Sequence, residues 1–133
     1  AWAERENPSD LHDRVARVPH GTSVEIDAAV SAARAAFPAW RARTPEERGD
    51  CLDRVGTALL ARREEIGDML AREEGKLRSE AIGEVTRAGR VFRYFGAEAL
   101  RRHGQTLDSV RPGVEIEVHR EPVGVFGLIT PWN

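Results

Sequence analysis

The chain predicts an α/β protein, and three observations carry that expectation. Four segments between Thr22 and His103 repeat apolar residues at helical spacing. Residues 106–120 then change period, with Val114, Ile116 and Val118 alternating strictly with Glu115, Glu117 and His119. The last stretch, Val123-Gly124-Val125-Phe126-Gly127-Leu128-Ile129, is an unbroken apolar run that leads into Thr130-Pro131-Trp132-Asn133. A run of this kind reads as a strand covered on both faces, as in a parallel sheet. In open parallel sheets, ligands bind just beyond the carboxyl ends of the strands, and Asn133 sits at such an end. Proteins rarely close on a buried strand with no turn or polar tail after it. The expectation is therefore the first part of a larger α/β enzyme, cut at its active site.

Residues 1–21 read as extended and loop-like, with turn chemistry at Asn7-Pro8-Ser9-Asp10 and a short strand around Arg14–Val18. The first helix starts at Thr22 or Ser23, because Thr22 and Glu25 have capping-box spacing. Ile26, Val30, Ala33, Phe37 and Trp40 form its apolar stripe, and Pro38 is expected to perturb or shorten its last turns. The second helix opens on Thr44 as cap, Pro45 at the first turn, and Glu46 and Glu47 at the positive end of the dipole. Leu52, Val55, Leu59 and Leu60 face inward. A break near Arg62-Arg63 separates a third helix over Glu64–Glu74, with Ile66, Met69 and Leu70 inward. Gly75 stops it as a left-handed cap, with Lys76 at the negative end. The fourth helix runs from about Ser79 to His103 on a narrow stripe of Ile82, Val85, Gly89, Phe92, Gly96 and Ala99. Glycine in a helix costs about 0.5–1 kcal/mol against alanine, so Gly89 and Gly96 predict a second backbone in close approach. Gly104 ends the helix.

Thr106–Val110, a turn at Arg111-Pro112-Gly113, and Val114–Arg120 then read as a β-hairpin. Val114, Ile116 and Val118 give it one apolar face, and Glu115, Glu117 and His119 a wet one. A lone two-stranded hairpin is not stable, so it must dock on something.

Composition excludes several function classes. The net charge is −2, which provides no field to gather nucleic acid or anionic lipid. Aromatic residues are only 6%, which weakens a base-stacking reading. The longest apolar run is too short to span a bilayer, and the first ten residues are no secretory signal. One cysteine, Cys51, rules out an intrachain disulfide and points to a reducing, cytoplasmic setting. Lys76 is the sole lysine among 20 basic residues, which fits coding bias rather than function.

Few residues offer chemistry. An amide NH at the end of a parallel strand can donate to an oxygen that gains negative charge in acyl chemistry. For Asn133 taken alone, a polar residue opening a loop is the stronger reading, since Asn is common in turns. Cys51 lies in the second helix with no activating base in view and reads as a small buried hydrophobe. His12, His20, His103 and His119 lack metal-ligand spacing, so no metal site is expected. No G-x-G-x-x-G occurs, and Gly124 and Gly127 read as turn and packing positions.

The context of Asn133 changes its weight. Ile129-Thr130-Pro131-Trp132-Asn133, preceded by Arg120-Glu121-Pro122-Val123-Gly124-Val125, resembles the aldehyde dehydrogenase superfamily where the first strand of the cofactor sheet meets the active site. Asn7-Pro8, Ala36-Phe37-Pro38-Ala39-Trp40, Thr44-Pro45-Glu46-Glu47-Arg48 and Glu74-Gly75-Lys76 agree in order. The stretches Gly83–Gly89 and Ser109–Val114 most resemble the branch that oxidises 2-oxoglutarate semialdehyde (2,5-dioxopentanoate).

The resemblance implies a Rossmann-type cofactor domain. Residues 1–104 would be its N-terminal strand and helices, 105–120 an oligomerisation hairpin, and 121–133 the first strand of the dinucleotide-binding sheet. It makes Asn133 the catalytic oxyanion donor and sets Ile129, Thr130, Pro131 and Trp132 along the nicotinamide-ribose side of a cleft for NAD or NADP. The family reaction uses a cysteine thiolate on an aldehyde, hydride transfer to the cofactor, and a glutamate-activated water. That cysteine and glutamate lie beyond this sequence, so the 133 residues alone are expected to be inactive. A homo-oligomer through residues 106–120 is implied. The alternative is a non-catalytic helical interaction module derived from a dehydrogenase, a partner for full-length subunits.

Overall fold

The computed structural model describes residues 1–101 and 103–130. The chain opens with a β-hairpin rather than a loop. Strand β1 (Trp2–Asn7) pairs antiparallel with β2 (Asp10–Pro19), and Asn7-Pro8-Ser9-Asp10 makes the tight turn. The register slips near Arg5–Glu6, a bulge that twists the ribbon. Sequence reading placed only Arg14–Val18 in a strand, because β1 is half charged and carries no apolar alternation. Its stability is of another kind. Glu4 pairs with Arg14 at 2.8 Å, and the Arg17 guanidinium lies 5.1 Å from the Trp2 ring centre.

Four α-helices follow. α1 (Ser23–Ala42) starts on Thr22, whose hydroxyl accepts from the Val24 amide while Glu25 accepts from the Thr22 amide. The Thr22 hydroxyl bond lowers the Glu25 pKa. α2 (Pro45–Ala61) repeats the device with Thr44 and Glu47. α3 (Arg63–Glu74) follows a break at Arg62, and Gly75 ends it at φ 73°, the left-handed region that glycine adopts without strain. α4 (Arg78–Glu98) tightens into a 3-10 turn over Ala99–Arg101. It therefore stops before His103, its last turn satisfying orphan carbonyls with shorter-range bonds. Pro38 does not shorten α1, which continues to Ala42. The proline removes one donor, but α1 is exposed, so water reaches the freed carbonyl.

The packing centre lies between α2 and α4, and it is made of glycine. A Cβ on Gly49 would stand 2.7 Å from the Gly96 carbonyl oxygen, and one on Gly96 would stand 2.9 Å from the Gly49 carbonyl. Seven residues forward along α2 and seven back along α4 the pattern recurs. A Cβ on Gly56 would stand 2.6 Å from the Gly89 oxygen, and one on Gly89 would stand 3.0 Å from the Gly56 oxygen. Two antiparallel helices thus touch backbone to backbone at points two turns apart. Gly67 of α3 does the same against Ile82 of α4, with Ala81 and Val85 buried nearby in sequence on α4. The expectation for Gly89 and Gly96 holds, and their partners are also glycines. Several other residues expected to face inward are exposed, among them Val55, Met69 and Phe92, and α1 buries no residue at all.

A second hairpin, β3 (Gln105–Asp108) with β4 (Glu115–Val118), is antiparallel and sits where alternation placed it. Leu107 lies opposite Ile116 on the apolar face, and both are exposed. Arg120 Nε donates to the His103 carbonyl at 3.2 Å and so ties the hairpin's base to the chain entering it. Residues 119–130 have no regular secondary structure. The strand expected over Val123–Ile129 is not formed in this chain. A strand needs a neighbour to complete its ladder, and among the described residues β1 pairs with β2 and β3 with β4.

Candidate functional site

Pro122 leads into an exposed segment in which Gly124 takes φ 121°. Val123, Phe126 and Leu128 stand out in solvent, and Ile129 is 98% exposed. Thr130 is exposed as well. Of the residues expected to line a cofactor cleft, these two are thus accessible. Pro131, Trp132 and Asn133 lie outside the described residues. The described residues form no closed dinucleotide cradle. The three glycines at positive φ serve a helix end, a hairpin turn and this segment.

A cleft of about 810 Å³ lies beside this segment. The end of α1 contributes Phe37 and Trp40, α2 contributes Leu52, α4 contributes Phe95, and Pro122 closes one side. Its arginines are partly committed. Arg48 donates to the Arg41 and Arg43 carbonyls at 3.4 and 2.5 Å, and so caps the end of α1 from α2. The cleft is an apolar seat with a charged rim, not a constellation for catalysis.

Two charge clusters fix the other end of the molecule. Arg72 of α3 grips Asp13 of β2 through two bonds, at 2.8 and 2.5 Å, and Asn7 adds a third at 3.2 Å. The Arg72 hydrogen bond, helped by Asn7, holds the Asp13 carboxyl at about 2. Pro8 of the turn fits against Gly75, where a Cβ would meet its ring at 2.6 Å. Next to this, Lys76 places its ammonium 2.8 Å from Glu74 and 2.5 Å from Glu84. Glu74, and after it Glu84, raise the lysine pKa. A lysine held charged in this way is no nucleophile, because that role needs a depressed pKa. The cluster joins the end of α3 to α4. Sequence reading missed both clusters. Asp13 and Arg72 are 59 residues apart, and no local pattern links them. The lone lysine among arginines was the one available signal.

Cys51 is half-buried on α2, and among the described residues no histidine is hydrogen-bonded to it. Among the described residues no group of His, Cys, Asp or Glu is placed to hold a metal, and no helix is long and apolar enough to cross a membrane. The geometry is that of a scaffold: helices clamped by glycine and ion pairs, with an exposed segment leading toward Asn133.

Comparison with known proteins identifies the scaffold. Residues 2–133 match the aldehyde dehydrogenase family. The alpha-ketoglutarate semialdehyde dehydrogenase of Haloferax volcanii is 42% identical over 130 residues, 98% of this chain and 27% of that protein. The alpha-ketoglutaric semialdehyde dehydrogenase of Bacillus subtilis is 38% identical over 128 residues, 96% of this chain and 26% of that protein. The NADP-dependent glyceraldehyde-3-phosphate dehydrogenase of Bacillus halodurans, solved with NADP, superposes with a TM-score of 0.79 at 30% identity. That match covers 85% of this chain and 24% of the other. The chain spans about a quarter of the length of these relatives. By sequence across its whole span and by fold across most of it, the chain belongs to the aldehyde dehydrogenase family.

Proposed function

We propose that this chain acts as the N-terminal portion of an NAD(P)-dependent aldehyde dehydrogenase. The enzyme oxidises a small aliphatic aldehyde or semialdehyde to the carboxylate through a cysteine thioester, and the nucleophile lies outside this chain. The observation that carries the reading is the family match across residues 2–133, joined to relatives named for semialdehyde oxidation. 2-Oxoglutarate semialdehyde is the first substrate to test.

In this reading residues 1–104 support the cofactor domain, 105–120 form an oligomerisation hairpin, and 121–133 become the first strand of the dinucleotide-binding sheet once a neighbouring strand completes its ladder. Leu107, Ile116 and Val118, exposed on one face of the hairpin, suit pairing with a neighbouring subunit. Ile129 and Thr130, with Pro131 and Trp132, offer one wall to the nicotinamide ribose. NAD or NADP supplies the hydride acceptor when bound. Asn133 directs its amide at the aldehyde oxygen as charge develops there. A preorganised donor of this kind contributes about 2.7–4 kcal/mol to the transition state. The sole cysteine fits a cytoplasmic setting.

The test is a chimera in which this chain replaces the matching first quarter of the Haloferax volcanii relative. With 2-oxoglutarate semialdehyde it should produce NAD(P)H. Asn133→Ala should lower turnover about 100- to 1000-fold with cofactor affinity retained. An unchanged single-turnover acylation rate would remove the oxyanion role. The chain by itself should oxidise no aldehyde, and activity that depends on Cys51 would overturn the reading. A second reading, a non-catalytic interaction module, is favoured by the extent of exposed apolar surface. A folded chimera that binds cofactor and shows no turnover would select it.

A further inference from the structure

We infer that Lys76 is a guarded amine: its two glutamate partners keep the only lysine of the chain from condensing with a 1,4-dicarbonyl substrate. The inference rests on the function proposed above, whose first test substrate belongs to that chemical class.

The hazard comes from the substrate. 2-Oxoglutarate semialdehyde carries an aldehyde and a ketone in 1,4 relation, and a neutral primary amine attacks both. Two C–N bonds form, and both carbonyl oxygens leave as water. The hydrogens of those waters come from the amine and from the two methylenes between the carbonyls, so no oxidant or reductant is needed. The product is an N-alkyl pyrrole that keeps the substrate's carboxylate, and it does not revert as an imine does. A guanidinium takes no part, because it stays protonated.

This chain presents one lysine to that reaction, and every other Lys or Arg position is arginine. Coding bias accounts for the count; the geometry accounts for the survivor. Lack of room does not protect it. Lys76 borders a cavity of about 220 Å³ that Ser9, Arg72 and Arg78 also line, space for a small keto acid beside two guanidinium groups. Charge does protect it. The ammonium stands 2.8 Å from Glu74, the last residue of α3, and 2.5 Å from Glu84 of α4. Only the neutral amine has the lone pair that attacks a carbonyl. Hydrogen bonds to Glu74, and after it Glu84, raise the lysine pKa and make that form scarce. The side chain is 15% exposed, held across the corner between α3 and α4 rather than free in water.

The same geometry shows what an adduct would do. Glu74 Oε2 is buried. A pyrrole in place of the ammonium would strip that oxygen of its cation and bring a third carboxylate to the corner. Removing one partner of such a pair strands the other charge and destabilises. A single adduct would thus loosen the joint between α3 and α4. The guard serves the scaffold, not the catalytic step.

The experiment incubates the folded chain with 2-oxoglutarate semialdehyde, and separately with hexane-2,5-dione, a 1,4-dicarbonyl that has no aldehyde. Nα-Acetyl-lysine amide is present as a reference amine, and peptide mass reads the gain of one reagent less two waters at Lys76. Folded wild-type Lys76 should react about tenfold or more slowly than the reference, since it reacts only through local opening. Glu84→Gln removes one carboxylate from a position that is 42% exposed. It should speed adduct formation while circular dichroism stays unchanged, and the adduct should then raise amide exchange at the start of α4. Lys76→Arg should gain no adduct there and keep that protection after the same exposure. Reaction of folded wild-type Lys76 at the reference rate would overturn the inference, whether or not the variants fold. A folded Glu84→Gln with an unchanged adduct rate would also overturn it, by assigning the protection to burial alone. A chimera that fails to oxidise 2-oxoglutarate semialdehyde would sink the proposed function without touching the hexane-2,5-dione result. Fast reaction at Lys76 in an active chimera would sink this inference alone.

Discussion

Helices α1 and α4 are close in length, 20 and 21 residues, and both repeat small and apolar residues every three or four positions. α4 buries Ala81, Val85, Gly89 and Gly96 against its neighbours, while α1 buries nothing. The difference lies in the partner, not in the pattern. α4 meets glycines on α2 opposite its own, so the two backbones come into contact at those points. Among the described residues α1 buries no side chain, and Ile26 stays 64% exposed. Periodicity shows that a helix has a face; only the rest of the fold shows what covers it.

The strongest way to break this comparison is to separate the glycine pairs. Gly56→Ala would place a methyl 2.6 Å from the Gly89 carbonyl oxygen. That oxygen is backbone and cannot rotate away, so the helices must part. Overpacking of this kind costs about 1–3 kcal/mol, offset by about 1 kcal/mol of helix propensity. A net loss of up to about 2 kcal/mol is expected. The urea midpoint of the chain, followed by far-ultraviolet circular dichroism, measures it. Because α1 shares no such contact, its amides should exchange at the same rate in the variant.

A second break acts at the other end, where an ion pair ties the first hairpin to α3. Asp13 binds Arg72 and Asn7, and its pKa falls from 3.8 to about 2 in the folded state. A carboxyl whose pKa is depressed on folding stabilises above its unfolded value and loses that contribution as pH falls through its folded one. The hairpin should therefore stay docked on α3 down to pH 4 and loosen progressively between about 3.8 and 2. Amide cross-peaks of β1 and β2 report this. Asp13→Asn should show the loosened hairpin already at neutral pH and remove the transition. If the wild-type hairpin shifts at the same pH as the glycine-packed helices, the two ends are not independent.

The sequence was most informative where structure is local. Thr22 with Glu25, Thr44 with Pro45 and Glu47, and Gly75 fixed helix ends correctly, because a cap is a bond between residues two to four apart. The hairpin at 105–118 was visible for the same reason. β1 was not, since Trp2–Asn7 gains its stability from Arg14, Arg17 and, through Asn7, Asp13 rather than from an apolar face. The glycine partners Gly49 and Gly56 gave no warning, because a glycine's role depends on which backbone arrives beside it. The strand at Val123–Ile129 was read from its own composition, but a strand exists only with a neighbour. Of the expected site, Ile129 and Thr130 are on view, and both were named from the motif rather than from any property of their own.

The smallest expected effect sharpens the comparison most cleanly, because it stays within one helix. Gly83 belongs to α4, as Gly89 does, yet a Cβ there meets nothing within 4 Å. Gly83→Ala therefore keeps the helix-propensity gain without the collision. It should stabilise the chain by about 0.5–1 kcal/mol, chiefly by reducing the freedom of the unfolded chain. Gly89→Ala would place its methyl 2.8 Å from Leu60 and 3.0 Å from the Gly56 oxygen, and should destabilise. The two substitutions are chemically identical and lie six residues apart, so intrinsic propensity predicts the same sign for both. Opposite shifts in urea midpoint would assign the difference to the α2 backbone. Equal shifts would mean that α2 and α4 are not in the contact described, and the glycine account of the packing centre would fall with them.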